Sequence, residues 1–431
     1  MSLFKKILAV GALVVFAAGA TALSQVYGDA FAADTLTGSN EIITIGGTTD
    51  GLPPDDTVNV ISYSHDGNVI LFYSKATNLP NATTFNGLYV FNIKNNTVAR
   101  VDISNTGVLP NAMYFGFTPP QLSETGRYVT FASSATNLID GSTYVAKAFY
   151  KRDVQTGVTS YIGIGYAGGY SDQWDRNFGV SNDGRFVLLA SRVLDNGYPN
   201  NYGAVIGDGQ TGTYTWKRFA NGSGSGFDAM GVGDLSCDGA FAVMRNSTEV
   251  RLSDLRTGTA ITVATGLSRS TSPIISCNGR YVLYATTDRT QILPHPNGSS
   301  STTYLHLARY DRITGERMYV GTDSAGVHNS NGNTWNVSNV HDQQANLFKA
   351  SIADSGDIVF QYGTNVYLKH LSDGSGTLES VAKNTLGAAV NVNNGVITTD
   401  GKYIFFQADP YVLGLTSSPS SSQIIRTKSN L

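Results

Sequence analysis

Few residues in this chain have the type and spacing to do chemistry. Cys237 and Cys277 are the only cysteines in 431 residues, and each stands second in a Ser-Cys-Asp-Gly or Ser-Cys-Asn-Gly run. Neither has a histidine beside it in sequence, so thiolate nucleophilic catalysis has no general base at hand. The six histidines (65, 295, 306, 327, 341 and 370) lack the spacing of a metal site, although a ring-shaped fold would bring distant ones together. No Gly-x-Ser-x-Gly elbow marks a hydrolase serine. The carboxylate pairs Asp172/Asp175 and Asp55/Asp56 are loop-borne and read as solvated acids. The Asp-Gly pairs recur without the ladder of acids that a calcium loop requires. The expectation is therefore no catalytic residue, no metal and no cofactor.

The elements that carry these residues repeat. A turn recurs at Ser64-His65-Asp66-Gly67, Ser123-Glu124-Thr125-Gly126, Ser181-Asn182-Asp183-Gly184, Ser236-Cys237-Asp238-Gly239 and Ser276-Cys277-Asn278-Gly279. Weaker copies stand at Ala353-Asp354-Ser355-Gly356 and Thr398-Thr399-Asp400-Gly401. Glycine supplies the positive φ of a tight hairpin turn, and a β-rich run such as Arg127–Ala132 or Lys402–Phe406 follows each one. A second turn, Asp-x-x-Thr-Gly, recurs at Asp153–Gly157, Asp208–Gly212, Asp254–Gly258 and Asp311–Gly315. Seven four-stranded antiparallel units with no useful amphipathic helix predict an all-β, seven-bladed β-propeller. The seventh unit lacks its outer strand, and Asp34–Gly38 followed by Asn40–Ile45 supplies a turn and strand at the other end of the chain. We expect that N-terminal strand to complete the last blade and close the ring, hiding a sheet edge.

Ser-x-Asp-Gly-Arg-Tyr-Val-x-Phe, Ser74-Lys75-Ala76-Thr77-Asn78-Leu79, its echo at Ser133–Leu138 and the Asp-x-x-Thr-Gly turns resemble the repeats of exported bacterial TolB-like or WD-type β-propellers. The resemblance covers nearly all of 34–431. It implies the propeller fold, while its function stays open, because such propellers serve as scaffolds, receptors, hydrolases and lyases. No stretch corresponds to the N-terminal domain of TolB itself, so a role in envelope integrity is not carried over.

Cys237 and Cys277 occupy equivalent turns of consecutive units. In a propeller such turns converge near the axis, within the reach of a disulfide; two buried thiols are the alternative. Lys5 and Lys6, the apolar run Ile7–Leu23 and Ala30-Phe31-Ala32 read as an export signal over 1–33, with one propeller domain over 34–431. Charged residues are 14% and the formal net charge is −3, which gives no field for nucleic acid. Nothing past the leader is apolar enough to enter a membrane once it is removed. Export to the periplasm, the medium or the cell surface is the expected destination.

Inter-blade connections and second-to-third-strand loops leave one end of a propeller, and here those segments are long. Aromatic and amide-rich ones are Asn111–Pro120 with Tyr114 and Phe117, Gly163–Gly179 with Tyr170, Asp172 and Trp174, Asn221–Asp234 with Asp228, and Thr322–Phe348 with Trp335 and His341. Rings beside amides and acids suit a sugar or an extended peptide; bracing of their own loops is the other use of such rings. We expect Trp174 and Trp335 to lie in loops and to lead recognition. The expected function is a non-catalytic scaffold that binds a protein or glycan. A carbohydrate-active or peptide-cleaving enzyme is the alternative, and so is a self-associating structural subunit of a surface assembly.

Overall fold

The computed structural model describes residues 40–112, 120–139, 148–164, 176–191, 203–209, 215–218, 232–245, 249–265, 273–286, 304–320, 335–336, 350–362, 365–374, 376–384, 390, 392–417 and 423–429. They form seven antiparallel sheets. Blade 1 runs Val58–Tyr63, Val69–Ser74, Gly87–Asn92 and Thr97–Arg100, with each strand pairing to the next. The others repeat that order, beginning at Gln121, Arg176, Val232, Ile274, Ala350 and Asn393. Successive first strands lie beside one another, so they line the axis. Among the described residues the exception to all-β structure is one turn of 3-10 helix, Pro410–Leu413, capped by Asp409. No helix among the described residues is long and apolar enough to cross a membrane.

The last blade consists of Asn393–Ile397, Tyr403–Ala408 and Gln423–Lys428, with Glu41–Ile43 as its outer strand. Glu41, Ile42 and Ile43 stand opposite Arg426, Ile425 and Ile424. Arg426, only 4% exposed at its side chain, donates from both Nε and Nη2 to Glu41 Oε2, at 2.9 and 2.7 Å. The ring is closed by the two ends of the chain, as expected. The turn expected at Asp34–Gly38 lies outside the described residues.

The core is distributed between blades rather than gathered at one centre. Leu71, Leu88 and Val90 of blade 1 pack on Val129, Phe131 and Tyr150 of blade 2. On its other side, blade 1 presents Ile70, Phe72 and Tyr89 to Phe405 and Ile424 of blade 7. Full burial of one such side chain stabilises by about 1.5–3 kcal/mol, so the ring is held by many equivalent joints.

The two repeated turns have a shared logic. Ser64 Oγ donates to Asp66 Oδ1 at 2.8 Å and accepts from Val69 N at 2.9 Å, while Asp66 Oδ1 also accepts from Asn68 N. Ser181/Asp183, Ser236/Asp238 and Thr398/Asp400 repeat the arrangement. The arginine that follows Gly126 makes a bidentate bond to Asp153, the first residue of the Asp-x-x-Thr-Gly turn. Arg185–Asp208 and Arg280–Asp311 are the same pair in blades 3 and 5. In blades 2, 3 and 5 the motifs are therefore two halves of one brace at the trimmed end. Glycine is required there twice over. Gly184 has φ +69°, and an added Cβ would lie 2.8 Å from the Tyr128 ring of the preceding blade.

Candidate functional site

The trimmed end carries a constellation that sequence spacing hides. In all seven Ser-x-Asp-Gly-type turns the second residue is buried or half-buried, whereas the third is exposed in six of them. The second residues are His65, Glu124, Asn182, Cys237, Cys277, Asp354 and Thr399, and they meet around the axis. His65 N donates to Glu124 O at 2.6 Å, and Asn182 N donates to Cys237 O at 2.7 Å. Cys237 N donates to Cys277 O at 3.0 Å, and Asp354 N donates to Thr399 O at 2.8 Å. Side chains bridge the remaining junctions. Thr125 N donates to Asn182 Oδ1 at 3.1 Å, Asn278 N donates to Asp354 Oδ1 at 2.8 Å, and the Thr399 hydroxyl contacts His65 Nδ1. Every neighbouring pair of blades is thus joined at the axis, in a closed girdle.

One joint of the girdle is covalent. Cys237 and Cys277 form a disulfide across blades 4 and 5, with Cα atoms 4.7 Å apart. This realises the pairing that the equivalent slots suggested, and it fits an oxidising compartment.

The electrostatics of the girdle are one-sided. Thr399 Oγ1 donates to Glu124 Oε2 at 2.9 Å while touching His65, so one hydroxyl links an imidazole and a carboxyl across blades 7, 1 and 2. Burial pushes the Glu124 carboxyl up to about 7 against that hydrogen bond, and the charges of Asp234 and Asp354 add to the rise. Burial likewise raises Asp234 to about 7, although its oxygens accept from Ile275 N at 3.0 Å and Leu235 N at 2.8 Å. Asp354 is raised by burial, with backbone donors and His65 opposing. Carboxyls crowded out of water hold protons near neutrality. Chemically the cluster can store a proton or hold a cation.

At the other end the described residues are braces. Asn78 Nδ2 donates to Asp50 Oδ1 at 3.0 Å and to Pro53 O at 2.9 Å, and its Oδ1 accepts from Asp55 N. Asn137 does the same for blade 2, donating to Leu109 O and accepting from Asn111 N. The asparagine of each Ala-Thr-Asn-Leu motif therefore pins the incoming inter-blade segment to its blade. Asp55 accepts from Thr77 N and Oγ1, so this acid has a structural use rather than being merely solvated.

Tyr114, Phe117, Tyr170, Asp172, Trp174, Asp228 and His341 lie outside the described residues. Trp335 was expected in a loop; its backbone instead forms a two-residue strand with Asn336 that pairs with Leu305 and Tyr304 of blade 5. The axial cluster had one signal in sequence. The second position of the turn varies among His, Glu, Cys, Asp, Asn and Thr while its neighbours repeat, as expected where seven copies face one another rather than their own strands.

No protein-family model matches the chain, and no curated protein is significantly similar to it. Solved structures are similar. TolB from Acinetobacter baumannii is 20% identical over 63% of this chain and 57% of its own, with a TM-score of 0.36, so the chain spans little over half the length of that protein. An oligogalacturonate lyase in complex with manganese is 12% identical over 91% of this chain and 96% of its own, with a TM-score of 0.50. The β-propeller domain of the Trilobed protease from Pyrococcus furiosus is 12% identical over 82% and 91%, with a TM-score of 0.47. TolB structures stand among these neighbours. The seven four-stranded antiparallel sheets make this chain a seven-bladed β-propeller, and at such identities the likeness to the lyase is one of fold.

Proposed function

We propose that this protein is an exported, non-catalytic recognition scaffold that binds a protein or glycan through the end of the ring carrying its long connections. One observation carries the reading: the opposite axial mouth is occupied by a closed girdle of hydrogen bonds and a disulfide, its turns trimmed to the minimum. A ring tied shut at one end presents its variable chemistry at the other, on segments free to differ without disturbing the inter-blade core. The leader at 1–33 would direct the chain to the compartment in which Cys237 and Cys277 oxidise.

The test is a screen of purified 34–431 against a glycan array and envelope extract, with Trp174→Ala and Trp335→Ala alongside. Saturable binding lost in either variant supports the reading. Turnover of an oligosaccharide or peptide with no stable binding would replace it with the enzyme alternative. Concentration-dependent assembly with no ligand would replace it with the structural one.

A further inference from the structure

The geometry points to a redox-dependent metal site in the axial girdle: with the Cys237–Cys277 bond open, Cys277, His65 and Asp354 hold a zinc-type divalent cation. These residues come from blades 5, 1 and 6, and one ligand atom from each lies within 4.8 Å of the others. Sulfur, imidazole nitrogen and carboxylate oxygen are the donor types of tetrahedral zinc. Around such an ion, ligand atoms stand roughly 3.3–3.8 Å apart, given bonds of about 2.0–2.3 Å. The three atoms therefore need to close by about 1 Å, which side-chain rotation supplies.

The surroundings match what metal ligands use. The Thr399 hydroxyl holds His65 Nδ1, which orients the ring and assigns the metal to Nε2. Asn278 N donates to Asp354 Oδ1 at 2.8 Å, which orients the carboxyl. Glu124 Oε2 accepts from the same Thr399 hydroxyl that holds His65, so a further carboxyl stands beside the site.

In the disulfide, the Cys277 sulfur is spent in a bond to Cys237 and offers no thiolate. A phosphine reductant supplies two electrons: the S–S bond breaks, two S–H bonds form with protons from water, and phosphorus takes up the oxygen. Zinc then displaces the Cys277 proton to solvent as the Zn–S bond forms. Disulfide and metal are thus mutually exclusive occupants of one position.

The sulfur asymmetry supplies the experiment. In the full-length protein, Cys237→Ser leaves the Cys277 thiol beside His65 and Asp354, and Cys277→Ser removes it. Each variant, kept under phosphine, is titrated with Zn2+ against a metallochromic competitor, and with Co2+ as a spectroscopic probe. The expected result is one Zn2+ per Cys237→Ser chain and a thiolate-to-cobalt charge-transfer band. Affinity should be lower by at least about tenfold in Cys277→Ser and when His65→Ala or Asp354→Asn is added. Oxidised wild type should bind none at the axis and show no band. Equal zinc affinity in the two cysteine variants, or a band untouched by His65→Ala and Asp354→Asn, overturns the assignment. Far-UV circular dichroism of each variant separates lost ligands from lost fold.

Discussion

Glu124 offers a quantitative handle on the girdle. Its carboxyl has an ordinary value of 4.5 and sits at about 7 here, because the buried site disfavours the charged form. At ~1.4 kcal/mol per pH unit this gap corresponds to about 3 kcal/mol. The residue keeps part of its surface in water, so screening reduces this to about 2 kcal/mol. The sign follows from proton binding. Between pH 4.5 and 7 the folded state holds the Glu124 proton more tightly than the unfolded chain does, so stability falls as pH rises. The contribution is fully present below 4.5 and gone above about 7. Glu124→Gln keeps a neutral partner for the Thr399 hydroxyl and cannot ionise. Urea unfolding of wild type and variant at pH 4.5, 6 and 7.5 is the assay. The variant should lose stability over this range by about 2 kcal/mol less than wild type, with equal m-values. Parallel curves would mean that Glu124 ionises freely in water, and the description of a crowded axial cluster would be wrong.

Other perturbations test the ring itself. Replacing both cysteines by serine opens a loop of 40 residues and should cost about 4 kcal/mol in urea unfolding, seen equally when wild type is reduced. Glu41→Ala leaves Arg426 buried without its carboxylate at the closing blade; a loss of about 3 kcal/mol, and early hydrogen exchange in Gln423–Lys428, are expected. Gly184→Ala combines a left-handed backbone with a Cβ driven into Tyr128, and should lower the thermal midpoint more than Gly258→Ala, where φ is also positive but nothing lies within 4 Å.

Much of the fold was legible because its grammar is local. Ser, Asp and Gly in a tight turn, followed by a β-rich run, close their own hydrogen bonds within five residues, so each copy announces itself. The completing strand at Glu41–Ile43 was legible because a blade with three strands leaves an edge. The disulfide was reached through equivalence of position, not spacing. The Arg127–Asp153 brace joins two motifs that sequence shows separately, with no mark of their pairing. The His65–Thr399–Glu124 chain was out of reach: its members lie 334 and 275 residues apart and come together only because the ring closes. Ala-Thr-Asn-Leu reads as a family signature in sequence; its asparagine turns out to clamp the preceding connection.

Recognition of the partner is proposed for the long-connection end and not for the trimmed end. Its most direct test is affinity for one captured partner, measured in parallel for wild type, Trp174→Ala and Ile313→Glu. Ile313 is a 64% exposed residue in an Asp-x-x-Thr-Gly turn of the trimmed end, so it serves as the control. Trp174→Ala should bind at least about tenfold more weakly, the scale of a lost aromatic anchor, and Ile313→Glu should bind as wild type does. The reverse pattern, with Trp174→Ala binding normally and Ile313→Glu impaired, would contradict the proposal.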